Sequence, residues 1–301
     1  MMHNGQHAQR VVLVTGASTG IGLALTRLLV AVDFRVIATA RPESLPRFAD
    51  SGLVESERLL FRQLELGDFE SHKAVVAEAF SRWGRIDVLV NNAGIAYRSV
   101  VEDMSANDEL QQLTPNYLGP MNLIRLVLPF MRRQRAGHII NVSSVSGMMA
   151  MPTMASYSAS KWALEGASEA LWYEMRPWGV RVCLIEPGFI HSTAFQQVRY
   201  PQGLDPTRPE APYAPYYRHM SRLVQRLMDY TLATPESIAA QILRVIHQAD
   251  PPLRVLATFD AQLFLLLRRL MPRALYHRLL YLCLPGVREW GKEPADDTPT
   301  H

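Results

Sequence analysis

The chain has 301 residues, 48% of them apolar, and a formal net charge of +3. That length and composition suffice for a full core in one domain with an appendage, and so small a charge, with no Lys/Arg block, leaves no footprint for nucleic acid. Two cysteines, Cys183 and Cys283, are too few for a disulfide framework or a metal-ligand spacing, which points to a reducing compartment.

The polar opening MMHNGQHAQR lacks the apolar stretch of a signal peptide. No run of about 18 uninterrupted apolar residues offers a spanning helix. A cytoplasmic location is therefore expected, with residues 1–8 and 291–301 as flexible termini.

In chain order, residues 11–15 (VVLVT) read as a buried strand, 20–32 as a helix and 34–40 as a second strand. A third strand is expected at 58–64, a helix at 69–83 and a fourth strand at 86–90. A long helical region near 106–133 leads to a strand at 138–142, a helix at 155–176 and a strand at 180–186. These strands are β-branched without alternation, so both faces of the sheet are covered. The α/β rhythm implies a doubly wound (Rossmann) parallel sheet flanked by helices, with ligands beyond the strand carboxyl ends. After residue 188 the rhythm breaks. Residues 189–234 carry clustered prolines and tyrosines and are expected to form a long irregular lid. A helix at 235–248 and a strand at 253–257 return to the sheet, so one domain spans 9–258. Residues 259–290 form a helical C-terminal extension that Pro272 divides in two.

Residues 15–22 read TGASTGIG between the first strand and helix. Gly16, Gly20 and Gly22 allow a tight turn and close approach to a pyrophosphate, and the helix N-terminus offers unpaired N–H groups and a positive dipole. At the end of the second strand stands Arg41, with no carboxylate to bond a ribose 2′-hydroxyl. A guanidinium there pairs a 2′-phosphate, which favours NADP(H) over NAD(H).

Tyr157 and Lys161 are four residues apart near the start of a helix and share one face. A free phenol titrates near ~10, and a neighbouring ammonium is expected to lower it toward working pH for proton exchange with an alcohol or carbonyl oxygen. NVSS (141–144) closes a strand thirteen residues before the tyrosine, NNAG (91–94) follows IDVLV, and PGFIHST (187–193) follows another strand. Taken together, these motifs resemble those of the short-chain dehydrogenase/reductase family, in the same order, over about residues 9–258.

The resemblance implies an alcohol/carbonyl oxidoreductase with Tyr157 as general acid/base, Lys161 on the nicotinamide ribose, and Ser144 rather than Ser143 donating to the substrate oxygen. Asn116 would support a water-linked proton relay. Gly16, Ser18, Thr19, Gly20, Ile21 and Gly22 would hold the pyrophosphate. Asn91, Asn92, Ala93 and Gly94 would pack beside the adenosine, and Pro187, Gly188, Ile190 and Thr193 against the nicotinamide. Two departures stand out. Glu65 and Leu66 fall where the family often has Asp beside the adenine. Pro115 precedes Asn116 inside a helix, so a kink is expected there. The resemblance also implies a homo-oligomer paired through the helices near 109–133 and 155–176.

Four methionines in GMMAMPTMA (147–155), with Phe189, Phe195, Tyr200, Tyr213, Tyr216 and Tyr217 in the lid, suggest a large apolar substrate, or packing of the lid onto the body. The basic, leucine-rich segment 259–284 fits a peripheral membrane contact, a pocket cover or a subunit contact. Together with YSASKWALEGASEAL, this tail is similar to the hydroxysteroid- and retinol-dehydrogenase-like branch, which implies steroid-, retinoid- or lipid-like substrates. A non-catalytic dinucleotide-binding regulator on the same fold is the alternative.

Overall fold

A computed structural model of the chain describes residues 9–191 and 198–292; Thr193 and Phe195 lie outside them. Seven parallel strands form one sheet among the described residues. They are β1 (Val11–Val14), β2 (Arg35–Ala40), β3 (Leu59–Gln63), β4 (Val88–Asn91), β5 (Gly137–Val142), β6 (Val180–Glu186) and β7 (Arg254–Leu256). Their spatial order is β3-β2-β1-β4-β5-β6-β7. The order reverses between β1 and β4, and at such a switch point a crevice opens beyond the strand carboxyl ends.

Each face of the sheet is sealed by apolar helix stripes, which is why the strands need no polar alternation. On one face lie α1 (Gly20–Ala31) and α7 (Pro235–His247), through Leu25, Leu29, Ile238 and Ile242. On the other lie α2 (Phe69–Trp83), α4 (Gly119–Gln134) and α5 (Ala155–Met175), through Val76, Leu123, Val127 and Leu171. The doubly wound parallel sheet expected from the sequence is the observed one, and strand ends agree within two residues.

The expected kink at Pro115 takes a specific form. Helix α3 (Ala106–Leu113) runs into a π-helical turn, Thr114–Leu118, before α4 begins. A proline has no N–H for the ladder, and a wider turn absorbs the loss without ending the helix.

The lid departs from expectation. It is not irregular throughout: Ala214–Tyr230 forms a helix, α6, which buries Tyr217, Met220, Val224 and Met228. These residues follow helical spacing, but the prolines just upstream obscure the pattern. The tail behaves as read, with α8 (Phe259–Leu270) and α9 (Arg273–Cys283) separated at Pro272.

The turn from β1 into α1 has no room for a side chain at Gly16 or Gly22. Gly16 has φ +65°, and a Cβ on Gly22 would sit 2.3 Å from the Gly16 carbonyl oxygen. A Gly22→Ala substitution must therefore push α1 off the turn. It is expected to cost about 1–3 kcal/mol, as overpacking does. Thermal unfolding should show a lower midpoint, with the stabilisation by added nucleotide largely lost.

Candidate active site

A cleft of ≈ 770 Å³ opens over the carboxyl ends of the strands. Ser18, Thr19, Gly20 and Ile21 line it at the start of α1, together with Gly16. Thr19 caps α1 without a side-chain bond, and the first turn carries no acidic residue. The helix N-terminus thus keeps its N–H donors and positive dipole for an anion. Gly22 faces away from the cleft and serves the close packing described above.

The turn after β4 is fastened to this one. Thr15 Oγ1 accepts from the backbone N–H groups of Asn92 (3.0 Å) and Ala93 (3.1 Å), and Asn92 Nδ2 donates to the carbonyls of Thr15 (2.9 Å) and Gly16 (3.2 Å). Asn92, Ala93 and Gly94 line the cleft, whereas Asn91 does not. Asn91 instead donates to Asn141 Oδ1 (2.8 Å), and Asn141 donates to Ser168 Oγ (2.8 Å), tying β4 to β5 and α5. The structure thus places Asn91, expected by resemblance beside the adenosine, in an internal chain behind the cleft. Thr15 was missed in the sequence, although its hydroxyl sits at the head of TGASTGIG.

At the other end of the cleft Arg41, Ser44 and Arg47 stand beside Glu65 and Leu66. Arg41 is held 3.1 Å from the exposed Glu43. Ser44 and Arg47, on the 3-10 helix after β2, escaped the sequence reading because no spacing marks a helix of this kind.

The floor is formed by the ends of β5 and β6 and the first turn of α5. Ser144 hydrogen-bonds the Tyr157 side chain. Its Oγ also accepts from the Ser146 N–H at 3.1 Å. Lys161 Nζ donates to the Val142 carbonyl at 2.9 Å and lies 5.8 Å from the Tyr157 ring centroid. Ser143, by contrast, has a buried hydroxyl without a protein partner. Ser144, Tyr157 and Lys161 therefore meet as the thirteen-residue and four-residue spacings imply.

One expectation about the pair is corrected. Burial holds the Tyr157 phenol above its ordinary range, opposed by the Ser144 hydrogen bond. The same burial pulls Lys161 down to about 8, opposed by the charge of Glu165. Low dielectric penalises the charged form of both groups, and the lysine is committed to Val142 rather than to the phenol. Behind it Glu165 and Glu186 share the Arg254 guanidinium, at 3.0 and 3.3 Å. Burial and the neighbouring Glu165 push the Glu186 carboxyl well above the usual range.

Asn116 is buried outside the cleft lining. Its Oδ1 accepts from the Ile95 N–H (2.9 Å), and its Nδ2 donates to the Ile95 carbonyl (2.9 Å) and Ser160 Oγ (2.9 Å). It clamps the segment after Gly94 onto α5 from within the π-helical turn. Pro187, Gly188 and Ile190 line the cleft. That loop is anchored from α8, since Gly188 N–H donates to Thr258 Oγ1 (2.8 Å) and Phe189 N–H to Asp260 Oδ2 (2.9 Å).

Among the described residues, the methionines and lid aromatics do not line this cleft. Met148, Met149 and Met151 pack with Phe264 and Leu280, Tyr217 is buried with its hydroxyl on Asp103, and Tyr216 stacks on Trp290. Of the two readings offered for them, lid packing describes these residues.

The family model for short chain dehydrogenases matches residues 10–203. The chain belongs to the short-chain dehydrogenase family. This dehydrogenase is 33% identical over 245 residues to a 3-ketodihydrosphingosine reductase of Bacteroides thetaiotaomicron, covering 81% of this chain and 86% of that one. A metagenomic short-chain oxidoreductase solved in complex with NADP superposes with a TM-score of 0.62 at 27% identity, over 82% of this chain and 96% of that one. A short-chain dehydrogenase/reductase from Burkholderia phymatum, solved with NAD, shares the fold at 22% identity (TM-score 0.72), over 95% and 97%. The dehydrogenase's phosphate turn, with its free helix N-terminus and side-chain-free approach, suits a dinucleotide.

The buried lysine has a measurable consequence. Its lowered value means that folding favours the neutral amine, so its contribution to stability is present above ~10.5 and is lost as pH falls through about 8. Removing the amine should relieve that cost most at low pH. In thermal unfolding without nucleotide, the midpoint of Lys161→Met minus that of the wild type should be largest near pH 7 and shrink as pH rises toward 10. A difference independent of pH would contradict the assignment.

Proposed function

We propose that the protein is an NADP(H)-dependent oxidoreductase that interconverts an alcohol and a ketone or aldehyde on a large apolar, lipid-like substrate. The observation that carries this reading is the meeting of Ser144, Tyr157 and Lys161 on the floor of a dinucleotide-shaped cleft. The bound nicotinamide supplies or accepts the hydride. Tyr157 Oη donates its proton to the carbonyl oxygen in reduction and takes the alcohol proton in oxidation. Ser144 Oγ already accepts from Ser146 N–H, which leaves its own proton for the substrate oxygen. In this reading the ammonium of Lys161 favours the ionised phenol only once the cleft is filled, burial prevailing until then. In this reading Lys161 also bonds the nicotinamide ribose, and Asn116 acts as a positioning residue for the segment after Gly94.

The pyrophosphate falls to Gly16, Ser18, Thr19, Gly20 and Ile21. The adenosine falls to Glu65, Leu66, Asn92, Ala93 and Gly94, and the nicotinamide to Pro187, Gly188, Ile190 and Thr193. NADP(H) is favoured because Arg41 and Arg47 flank Ser44 at the cleft end, a donor set for a 2′-phosphate with no carboxylate at the end of β2. The apolar substrate is supported by the name of the sphingosine-type relative. Pairing of two copies through α4 and α5 belongs to the same reading.

Two measurements check it. Tyr157→Phe should lower turnover by about 10²- to 10⁴-fold, the scale of general acid–base catalysis, while leaving NADPH affinity nearly unchanged. Near-normal turnover on the best substrate would rule out the assignment. Wild type should prefer NADPH, and Arg41→Asp should shift the NADPH-to-NADH ratio of kcat/KM by about 10- to 100-fold, the worth of one charge-assisted hydrogen bond. Equal use of both by the wild type would remove the argument from Arg41.

A further inference from the structure

Helices α8 and α9 expose an unusual amount of leucine. On α8, Phe259, Leu263, Leu266 and Leu270 are all exposed, Phe259 at 79% and Leu270 at 72%. At 100° per residue these four fall within a stripe about 60° wide. The opposite side of α8 faces the body. Ala261 is fully buried there, Phe264 packs on Met148 and Met151, and Arg268 lies over the Trp162 ring at 5.1 Å. Helix α9 repeats the plan. Leu275, Leu279 and Leu282 are exposed on a stripe of the same width, while Tyr276 is buried at its flank and Leu280 packs on the body.

Past Asp260, whose carboxylate accepts from Phe189 N–H, the charge on the two helices has one sign. Between residues 261 and 288 there is no Asp or Glu, while Arg268, Arg269, Arg273, Arg278 and Arg288 are present. Arg269 and Arg278, both exposed, sit about 40–60° from the nearer edge of their leucine stripes by the same helical geometry. An apolar stripe edged by arginines is the pattern of a helix lying in a membrane interface, with the guanidinium groups reaching the headgroups. Spanning is excluded by length. Twelve residues of α8 reach about 18 Å, short of a bilayer core, and no described helix is long and apolar enough to cross.

We propose that the exposed faces of α8 and α9 seat this protein on an anionic lipid surface. Charge decides between this and the other occupants. A two-fold contact with a second copy through the same patch would set arginines against arginines, with no carboxylate on the segment to pair them. The protein's own cleft is not the occupant, since the stripes point away from the packed side. Anionic headgroups supply the missing partner. Because Thr258 and Asp260, at the start of α8, hold the loop Gly188–Phe189 at the cleft, the seat lies next to the substrate end. This gives a lipid-like substrate a short path, a corollary that rests on the proposed function, whereas the seat itself does not.

The test is vesicle sedimentation of the full chain, without substrate. Phosphatidylcholine vesicles with and without phosphatidylglycerol are compared at low and high salt. The wild type should bind the anionic vesicles at least about tenfold more tightly than the neutral ones, with the difference falling at high salt. Leu266→Glu/Leu270→Glu/Leu279→Glu/Leu282→Glu should lose that binding while keeping the wild-type thermal midpoint and NADPH affinity. A wild type that stays in the supernatant overturns the proposal, as does equal binding to neutral vesicles or by the variant. If the variant instead changes the oligomer mass in light scattering and the wild type ignores lipid, the face is a subunit contact. Failure here leaves turnover untouched, and loss of turnover leaves sedimentation untouched.

Discussion

Tyr157 and Lys161 are buried to the same depth at the start of α5, each about 5% exposed, and withdrawal of water from both governs the rest of the site. Burial alone drives each group toward its neutral form, the phenol upward and the amine down to about 8. For the lysine that is a cost of about 3 kcal/mol at neutral pH, which the fold carries elsewhere. Two parts of the surroundings limit it. The Val142 carbonyl takes one of the lysine's protons, and the carboxylate of Glu165 supports its charge. The phenol has only Ser144 on its side. As the proposed proton donor, Tyr157 is kept protonated by burial until positive charge or hydrogen bonds are added next to it.

Much of this frame was legible in the sequence. Buried β-branched runs alternating with helices gave the parallel sheet, because a sheet covered on both faces tolerates no polar alternation. TGASTGIG marked the phosphate turn, because a side chain is strained at φ +65° and crowded by Ala93 at position 16, and has no room for the 2.3 Å approach at position 22. The Tyr157–Lys161 spacing carried weight only through Ser144. What the sequence hid was context. It suggested that an ammonium four residues on would lower the tyrosine, but a four-residue spacing says nothing about depth, and depth reverses the sign. Asn91 and Asn116 were recognised as important, yet the Asn91 Nδ2 group and the whole Asn116 amide bond inside the protein, to Asn141 and to Ile95 and Ser160. Helix α6 was masked by the prolines before it, and the methionines beside Ser144 turned out to pack against Phe264 and Leu280 rather than face the cleft.

The same packing explains how the outer layer serves the centre. Helix α8 reaches the cleft through Thr258 and Asp260, α6 covers Phe189 through Val224 and Met228, and both share Met151 and Phe264. The lid, the tail and the Met-rich loop thus form one apolar layer behind the nicotinamide-side loop. The start of the tail is hydrogen-bonded to Gly188 and Phe189. The leucines left over on the outside of α8 and α9 are the surplus of that arrangement, and they are where the molecule can meet another apolar phase.

The central claim is that Tyr157 exchanges the proton and that a charge beside it overcomes burial once the cleft is filled. The most direct measurement is the pH dependence of kcat/KM for NADP⁺-linked oxidation of an apolar secondary alcohol by the wild-type protein. The account predicts a rate that rises through a single ionisation with a midpoint below ~10, the value of a free phenol. A midpoint at or above that value, or a rate indifferent to pH, would contradict it.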